Sequence, residues 1–555
     1  MNALATHLSA LLLRLNGSHS DDLARAISAL CTAMEEGHVC LPASEWKGDI
    51  ARLRECAVVG ASGEFAPLIL DESGRLYLHR YWQYEDGLAC AILARASAEA
   101  PQFSAPLLAA SVKKYAARAD ATQRAAAENA VRRRLSVITG GPGTGKTRTA
   151  TLALLLLAEQ FAATGDAAHF ALAAPTGKAA ARLSQSLDAT LSTLDLPANV
   201  RALLPTDAST LHRLLGAFPG ATHFRHNAAN PLPARVVVVD EASMVDLPLM
   251  AKLFDAIHPE ARVILLGDKD QLASVESGHV LGDICAGLRE KTYTPLRACL
   301  TELTTNHRFA ADSGIHRLSR FVNVADATAA ATLLSTPDCS DLRAAAQPTP
   351  RALAAMISAS ALPFLRAYRA ASTPEEALTL FGGFRILCAL REGPYGVANL
   401  NTLAERALAE ADLISPEHAF YAGRPVLIRR NDYQLQLFNG DIGITLPDAD
   451  AGGELRVFFH DETRGLRRFP PARLPEHETA FAMTVHKAQG SEFRHVLLVL
   501  PDAECPVLSR ELLYTAITRA STSLKVWWNE GALHAALKRS ITRWSGLRAR
   551  LWGEA

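Results

Sequence analysis

A glycine-rich stretch of eight residues constrains the fold of this chain more than any other feature. Residues 140–147 read GGPGTGKT and satisfy the phosphate-loop pattern GxxxxGK[ST]. The apolar residues 135–139 before it predict a buried strand, and the residues 149–160 after it, rich in Ala and Leu, predict a helix. Such a turn gathers backbone N–H groups and the positive end of a helix dipole around one anion. The stretch predicts an α/β domain that binds a nucleoside triphosphate.

Each residue of this loop is a candidate for binding the nucleotide. We expect the Lys146 ammonium to reach the β and γ phosphates and the Thr147 hydroxyl to bind Mg²⁺. A chance Gly/Pro turn is the alternative, but the strand before it and the helix after it disfavour that interpretation. The candidate nucleotide-binding residues of the loop are Gly140, Gly141, Pro142, Gly143, Thr144, Gly145, Lys146 and Thr147.

Length and composition set wider bounds. The 555 residues suggest three or four domains, and 57 basic residues balance 57 acidic ones, so any nucleic acid would have to bind in a local groove. Nine cysteines are scattered without a CxxC pair, which favours reduced thiols in a cytoplasmic protein without structural metal. The sequence has no run of 18 apolar residues, so we predict no membrane span.

Polar residues follow several further predicted strands. Residues 170–174, 236–239 and 262–266 are apolar, and the second of these is followed by Asp240 and Glu241. One carboxylate suits Mg²⁺ and the other can orient or deprotonate water, while Gln271 could sense the γ phosphate. Parallel strands bring such residues to one sheet edge, where ligands bind in doubly wound folds. We therefore expect a hydrolytic site there.

The remaining regions are less specific. Gln123 could read the adenine edge, and Thr176 and Lys178 could bind phosphodiester oxygens or simply cap a helix. Residues 384–389, 495–500 and 523–527 predict a second set of strands, interrupted at about 423–473 by a turn-rich β passage. Residues 1–119 are mainly helical and carry no nucleotide motif. Their apolar face (Leu4, Leu8, Leu11, Leu12 and Leu15) and aromatics (Tyr81, Trp82 and Tyr84) suggest a module for docking a partner.

Taken together, these motifs resemble superfamily 1 helicases, in the 5′-to-3′ branch represented by the exodeoxyribonuclease V alpha subunit (RecD) family. The resemblance runs from Gln123 to about Trp527. Its motifs are Gln123, 140–147, PTGK at 175–178, STLHRLLG at 209–216, DEAS at 240–243, GDKDQ at 267–271, LTTNHRF at 303–309, FNGDIG at 438–443, MTVHKAQGSEF at 483–493 and LYTAITRA at 513–520.

The resemblance implies a fold and a division into domains. It implies two RecA-like parallel-sheet motor domains, an α-rich N-terminal domain and a small SH3-like β insertion. The corresponding boundaries are 1–119 for the N-terminal domain, 120–322 for the first motor domain with a short pin at 216–234, and 323–555 for the second motor domain with the insertion at about 423–473.

The resemblance also implies roles for individual residues. Arg308 and Arg519 would act as arginine fingers, although a structural salt bridge is the alternative for either one. Lys146, Asp240, Glu241 and Gln271 would complete the catalytic set, with Thr147 and Asp240 as the Mg²⁺ ligands. Gln489 and Glu492 would join Gln123 in binding ATP, and single-stranded DNA would contact Thr176, Lys178, Thr210, His212, Thr484 and His486.

The implied function is an ATP-dependent 5′-to-3′ DNA helicase that acts on duplex ends in double-strand break repair. The chain lacks the helix-hairpin-helix repeats of longer relatives that work alone, and it lacks a relaxase tyrosine. It therefore resembles the subunit that joins RecB-like and RecC-like partners in a heterotrimer, with the nuclease site outside this chain. A scaffold with a vestigial ATPase and an RNA helicase of the same superfamily are the two alternatives.

Overall fold

The chain folds into two units, and the sequence passes from one unit to the other four times. In this computed structural model the described residues are 3–18, 20–46, 48–99, 102–166, 168–218, 220–221, 223–288, 294–310, 312–336, 338–432, 434–461 and 465–553. The first unit comprises Met1–Lys269, Ala273–Thr305 and Thr542–Ala555, and the second comprises Asp270–Leu272 and Asn306–Ile541. This division differs from the expected boundary at 322/323, and it assigns the C-terminal segment to the first unit.

The N-terminal region contains five helices and four short strands among its described residues. They are α1 (Ala3–Asn16), α2 (Asp21–Glu35), β1 (Leu41–Pro42), α3 (Ile50–Arg54), β2 (Val59–Gly60), β3 (Leu68–Leu70), β4 (Arg75–Leu78), α4 (His79–Ser97) and α5 (Ala105–Tyr115). The strands form one sheet in the order β1-β4-β3-β2. Side chains of Ser20, Asp49 and Ser104 cap the N-termini of α2, α3 and α5.

The rest of the first unit is built on a parallel sheet. Its elements are α6 (Ala121–Arg132), β5 (Leu135–Gly140), α7 (Lys146–Thr164), β6 (Phe170–Ala174), α8 (Gly177–Leu191), α9 (Ala198–Arg201), β7 (Ala208–Thr210), α10 (Leu211–Leu215), β8 (Val236–Val239), α11 (Leu247–Ala256), β9 (Arg262–Gly267), α12 (Val280–Cys285) and β10 (Leu300–Leu303). The strand order is β10-β5-β9-β8-β6-β7, and every recorded pair is parallel. All four valines of β8 are buried, as expected for a strand covered on both faces.

The N-terminal region shares its core with this parallel sheet. Leu88 and Ile92 of α4 belong to the same buried cluster as Met250 and Phe254 of α11 and Leu265 of β9. The aromatic residues expected to face a partner, Tyr81, Trp82 and Tyr84, are partly buried against that cluster. These three aromatic residues are therefore half-buried against their own chain, and part of each side chain remains exposed.

Helix α1 buries only part of its apolar face. Leu12 is buried and Leu8 packs against the N-terminal core, whereas Leu11 and Leu15 are 42% and 55% exposed. The Leu4 side chain lies outside the described part of the structure.

The C-terminal segment folds as α20 (Leu547–Trp552) after an irregular stretch. Leu547 and Leu551 join the core that α4 and α11 form, and the indole of Trp552 donates to the Asp283 carbonyl at 3.0 Å. Trp544 stacks on His38 with ring centroids 3.9 Å apart. These contacts explain why residues 542–555 belong to the first unit.

The second unit is built on another parallel sheet with an antiparallel sheet inserted in it. Its elements are α13 (Gly314–Asn323), α14 (Ala327–Ser335), β11 (Leu342–Ala346), α15 (Leu353–Arg369), α16 (Pro374–Gly382), β12 (Phe384–Cys388), α17 (Val397–Glu410), β13 (Pro425–Ile428), β14 (Ile442–Asp448), β15 (Glu454–Asp461), β16 (Gly465–Phe469), β17 (His477–Thr479), β18 (Ala482–Thr484), β19 (Phe493–Val499), α18 (Arg510–Ile517), β20 (Ala520–Trp528) and α19 (Glu530–Lys538).

The two sheets of this unit differ in strand direction. The order β11-β20-β19-β12-β18 is parallel at each recorded pair, whereas β16-β15-β14-β13-β17 is antiparallel. The antiparallel sheet spans Pro425 to Thr479, six residues beyond the expected end of the insertion, because β17 returns to pair with β13. The fold is α/β with two parallel-sheet motor domains. No helix in the described ranges has the length and hydropathy of a membrane span.

Candidate functional site

The phosphate loop joins β5 to α7 through two left-handed glycines. Gly143 and Gly145 have φ of 78° and 82°, which disfavours side chains at these positions. A Cβ on Gly140 would lie 2.7 Å from the Leu303 carbonyl oxygen, so β10 leaves no room there. The Thr144 hydroxyl donates to the Gly141 carbonyl at 2.8 Å. The loop is thus braced in a form that suits anion binding by successive N–H groups.

The Lys146 ammonium lies against the loop itself. It donates to the carbonyls of Gly140 and Gly141 at 2.6 and 3.1 Å. Neutral carbonyls are weaker acceptors than phosphate oxygens for an ammonium donor. A polyphosphate bound in the loop would therefore compete well for this cation.

Asp240 and Glu241 follow β8 in an unusual backbone geometry. Glu241 has φ of 51°, one of four non-glycine residues in the described chain with positive φ. The Asp240 carboxylate accepts a bond from the Glu241 N–H at 2.8 Å, and the Asp240 N–H donates to Ala173 at 2.9 Å. Non-glycine residues in this region carry strain of about 1–3 kcal/mol and cluster at functional sites.

The electrostatics of this pair fit a bound cation. Desolvation and the neighbouring Glu241 carboxylate raise the pKa of Asp240 above its usual range, while Lys146 opposes the shift. Among the residues described, no group of three His, Cys, Asp or Glu side chains could hold a metal by itself. A hydroxyl from Thr147, a carboxylate from Asp240 and phosphate oxygens are the hard ligands that Mg²⁺ prefers. The residues present fit Mg²⁺ carried in with a nucleotide.

Gln123 is part of the scaffold that holds the loop. It completes a capping box with Asp120 at the start of α6, and its side chain is buried. Its amide nitrogen also donates to the Thr144 carbonyl at 3.0 Å. These two contacts could not be foreseen when the amide was predicted to read adenine. They leave one N–H on its nitrogen and one lone pair on its oxygen for a ligand.

The predicted DNA-contacting residues of the first unit lie at neighbouring strand ends. Thr176 caps α8 just after β6, with Lys178 in the first turn, and Thr210 caps α10 at the end of β7. Strands β6 and β7 pair in parallel, with Ala174 opposite Thr210. The exposed His212 meets the Phe224 ring edge-on at 5.8 Å. The structure therefore brings these four residues to one sheet edge.

Phe224 belongs to the segment expected to form a pin. An antiparallel bridge joins Ala217 to Phe224, and the backbone N–H of Arg225 donates to the Gly216 carbonyl at 3.0 Å. The segment is a short hairpin in its described residues, while Pro219 and Thr222 of the expected pin lie outside them.

Residues 270–272 belong to the second unit, although they follow β9, a strand of the first unit. The Leu272 N–H donates to the Thr515 hydroxyl at 2.9 Å, and the Gln489 amide donates to the Leu272 carbonyl at 3.1 Å. The adjoining Gln271 is buried. Two predicted nucleotide-site residues, Gln271 and Gln489, thus belong to one arrangement, and Thr515 is a member of it that the sequence did not single out.

The two predicted arginine fingers also have partners within the second unit. Arg308 forms an ion pair with Glu492, so these two predicted site residues are brought together. Arg519 is buried and donates to the carbonyls of Thr515 and Ser491 at 3.1 and 3.0 Å. Each guanidinium is oriented by contacts that a phosphate would have to replace or share.

Thr484 is the last residue of the edge strand β18, and His486 follows two residues later. The Thr484 hydroxyl accepts from the Lys487 N–H at 3.3 Å, and His486 begins a 3-10 turn over His486–Ala488. Gln489 follows that turn directly. The predicted DNA-contacting and nucleotide-contacting residues of this motif are therefore consecutive parts of one short segment.

Comparisons with known proteins identify relatives of this chain. The family model for an AAA domain matches residues 123–277, and the model for a UvrD-like helicase C-terminal domain matches residues 479–526. RecBCD enzyme subunit RecD of Mycolicibacterium smegmatis is 39% identical, covering 93% of this chain and 89% of that protein. The Haemophilus influenzae subunit of the same name is also 39% identical, covering 77% of this chain and 71% of that protein. The ATP-dependent RecD2 DNA helicase of Deinococcus radiodurans is 34% identical, covering 70% of this chain but 46% of that protein.

Proposed function

The chain belongs to the RecD family, and from this membership we propose that it is the ATP-driven 5′-to-3′ DNA helicase subunit of a RecBCD-type exodeoxyribonuclease V. The observation that carries the proposal is identity of 39% over 89% of the length of a RecBCD subunit. The RecD2 helicase is less similar, at 34% identity over 70% of this chain. The partners would be RecB-like and RecC-like chains, and the complex would act at duplex ends in double-strand break repair.

The proposed chemistry is hydrolysis of ATP. The loop N–H groups would bind the β and γ phosphates, and Lys146 would move from the carbonyls of Gly140 and Gly141 to the phosphates. Mg²⁺, when bound, neutralises phosphate charge, and Thr147 and Asp240 are its proposed protein ligands. Glu241 would orient the attacking water through its carboxylate. Its strained backbone supports this assignment, because such strain clusters at functional sites.

Residues of the second unit would complete the reaction. We assign Arg308 and Arg519 to stabilising the charge of the transferring phosphoryl group, with Gln271 sensing the γ phosphate. Gln123, Gln489 and Glu492 would contact the nucleotide. Their present partners are protein groups, so nucleotide binding would exchange one set of hydrogen bonds for another.

Single-stranded DNA is the proposed track. Thr176, Lys178, Thr210 and His212 would bind it from the first unit, and Thr484 and His486 from the second. Backbone contacts of this kind predict affinity that falls with salt and shows little sequence preference. We also place the protein in the cytoplasm, because none of its nine cysteines forms a disulfide.

A strand-displacement assay with purified chain, alone and with RecB-like and RecC-like partners, tests the proposal. We expect ATP-dependent unwinding of a DNA duplex with a 5′ overhang and none with a 3′ overhang when this subunit alone supplies the motor. Lys146→Gln is the matched control, because it removes the proposed phosphate-binding cation and keeps a polar side chain only one atom shorter. Unwinding of RNA but not DNA would support an RNA helicase, and assembly without any ATPase would support a scaffold.

A further inference from the structure

β18 is an edge strand, and the side chain of Asn401 lies beside it where a further strand would pair. On its inner side, β18 bonds to β12: the Phe481 carbonyl accepts from Ile386 at 3.4 Å, and Val485 donates to Cys388 at 3.0 Å. The backbone of Ala482 lies between these bonds and its polar groups are directed away from β12. The sheet order places no strand on that outer side of β18 in the described structure.

Asn401 of α17 fills this position with both ends of its amide. The Ala482 N–H donates to Asn401 Oδ1 at 2.8 Å, and Asn401 Nδ2 donates to the Ala482 carbonyl at 3.3 Å. The side chain is only 8% exposed. A carboxamide that accepts and donates to one residue reproduces the pairing a further strand would supply. Both polar groups of Ala482 are therefore satisfied by this single side chain.

Arg385 makes a second contact, two residues earlier in the same segment. It lies on β12 with 1% exposure, and its guanidinium donates to the Ala480 carbonyl and, at 3.5 Å, to the Phe381 carbonyl. It also lies over the rings of Phe381 and Phe493. Among the described residues no carboxylate pairs with it, and burial alone lowers the pKa of its guanidinium. Burying an unpaired cation is costly, so a neutral residue would serve stability at least as well.

Both contacts fall on the connection between the two sheets of the second unit. The antiparallel sheet ends with β17 at Thr479, and Ala480 and Ala482 lead directly to Thr484. Ala480, Phe481 and Ala482 are each at most 1% exposed. The backbone that arrives at Thr484 is thus fixed at two alternate residues by side chains from elsewhere in the unit.

We propose that Asn401 and Arg385 are positioning residues for Thr484 and His486, and that they set the affinity of these two residues for single-stranded DNA. Gln489, which the proposed function assigns to the nucleotide, is held separately by the Leu272 carbonyl. The proposal rests on the proposed function, which assigns Thr484 and His486 to DNA. Neither Asn401 nor Arg385 would touch DNA or nucleotide. Loosening β18 would displace the two DNA-contacting side chains together, so DNA affinity would fall while the chemistry at the phosphate loop of the first unit stays intact.

Hydrogen exchange in the full-length chain tests the positioning directly, without DNA. Asn401→Leu removes both bonds at similar volume, and Asn401→Asp keeps the acceptor but sets a carboxylate against the Ala482 carbonyl. Asn399→Leu is the matched control, because Asn399 lies on the same helix and donates to the Pro394 carbonyl instead. We expect amide exchange over residues 480–486 to rise about tenfold in both Asn401 variants, the effect of losing one or two hydrogen bonds. Unchanged exchange there would overturn the proposal.

ATPase titrations then separate positioning from general damage. For Asn401→Leu and Arg385→Met we expect the DNA concentration at half-maximal stimulation to rise about tenfold, with maximal turnover, affinity for a fluorescent ATP analogue and thermal midpoint near those of the wild type. Equal losses in all four quantities, or no change in DNA dependence, would contradict the proposal. If the wild type itself shows no stimulation by DNA, the proposed function fails, while the exchange result still decides whether Asn401 positions the segment.

Discussion

At the scale of single residues, Glu241 combines a catalytic assignment with backbone strain. Its φ of 51° places a side chain where glycine is favoured. Glu241→Gln keeps this backbone cost and removes the carboxylate, so we expect ATP binding to persist and turnover to fall by about a hundredfold or more. Glu241→Gly should lose turnover equally but raise the free energy of unfolding by about 1 kcal/mol. Steady-state ATPase and chemical denaturation of both variants measure this; retained turnover in Glu241→Gln would remove the assignment.

A second residue-scale prediction concerns Asp283 in α12. Burial, and secondarily the Glu85 carboxylate, raise the pKa of Asp283 to about 7. The Ser545 hydroxyl and the Arg548 charge act in the opposite direction and lower this pKa. The folded chain therefore keeps a proton that the unfolded chain releases near pH 4, and the free energy of unfolding falls as pH rises from about 4 to about 7. We expect Asp283→Asn to be more stable than the wild type by about 2–4 kcal/mol at pH 8, with the difference vanishing near pH 4.

Denaturation midpoints measured across pH 4 to 8 test the sign of this effect. The exposed Asp207 of the same unit supplies the control variant Asp207→Asn, which should follow the wild-type profile. A stabilisation by Asp283→Asn that did not vary with pH would mean that its origin is packing and not protonation.

At the scale of elements, the C-terminal segment is held to α4 through one buried carboxylate. Glu85 is fully buried and accepts bonds from the Tyr77 hydroxyl, the Ser545 hydroxyl, the Gly546 N–H and the Arg550 guanidinium, at 2.9–3.2 Å. A Cβ on Gly546 would lie 2.5 Å from both Glu85 and Tyr77 oxygens. The close approach of Gly546 to these oxygens depends on its having no side chain.

Removing the cation from this arrangement should be costly. Arg550→Ala leaves the Glu85 carboxylate buried without its counter-ion, and we expect the first unit to lose about 2–4 kcal/mol of stability. The exposed Arg124 of α6, in the same unit, provides the comparison, since Arg124→Ala should cost less than about 1 kcal/mol. Urea denaturation monitored by tryptophan fluorescence reports this through Trp544 and Trp552. Equal losses in the two variants would argue against a special role for the buried pair.

At the scale of the whole molecule, the N-terminal region is inseparable from the first parallel sheet. Leu88 and Ile92 cover α11, and Arg95 of α4 donates to the Ile257 carbonyl at 2.7 Å. Deleting residues 1–119 would expose this apolar face to water. We expect residues 120–555 alone to aggregate and to show no soluble ATP binding, measured by gel filtration and a fluorescent ATP analogue. A monomeric, ATP-binding truncated chain would show that the shared core is dispensable.

The sequence by itself determined the elements whose signal is local. The strands at Phe170–Ala174 and Val236–Val239 were predicted to the residue, because strands buried on both faces are continuous apolar runs. The phosphate loop was equally clear, since the left-handed turns at Gly143 and Gly145 favour glycine and the pattern around them is contiguous in the sequence. The ordered motifs also sufficed to indicate the helicase family.

Only the tertiary structure decided which side chains already have partners. Arg308 meets Glu492, Gln123 supports Thr144, and Asn401 pairs with Ala482, across separations that no local pattern encodes. It also decided that Tyr81, Trp82 and Tyr84 are half-buried against their own chain, since an amphipathic helix looks the same whether its apolar face meets a partner or its own chain. Residues 542–555 return to the first unit for the same reason: packing between distant segments depends on complementary surfaces that exist only once both have folded.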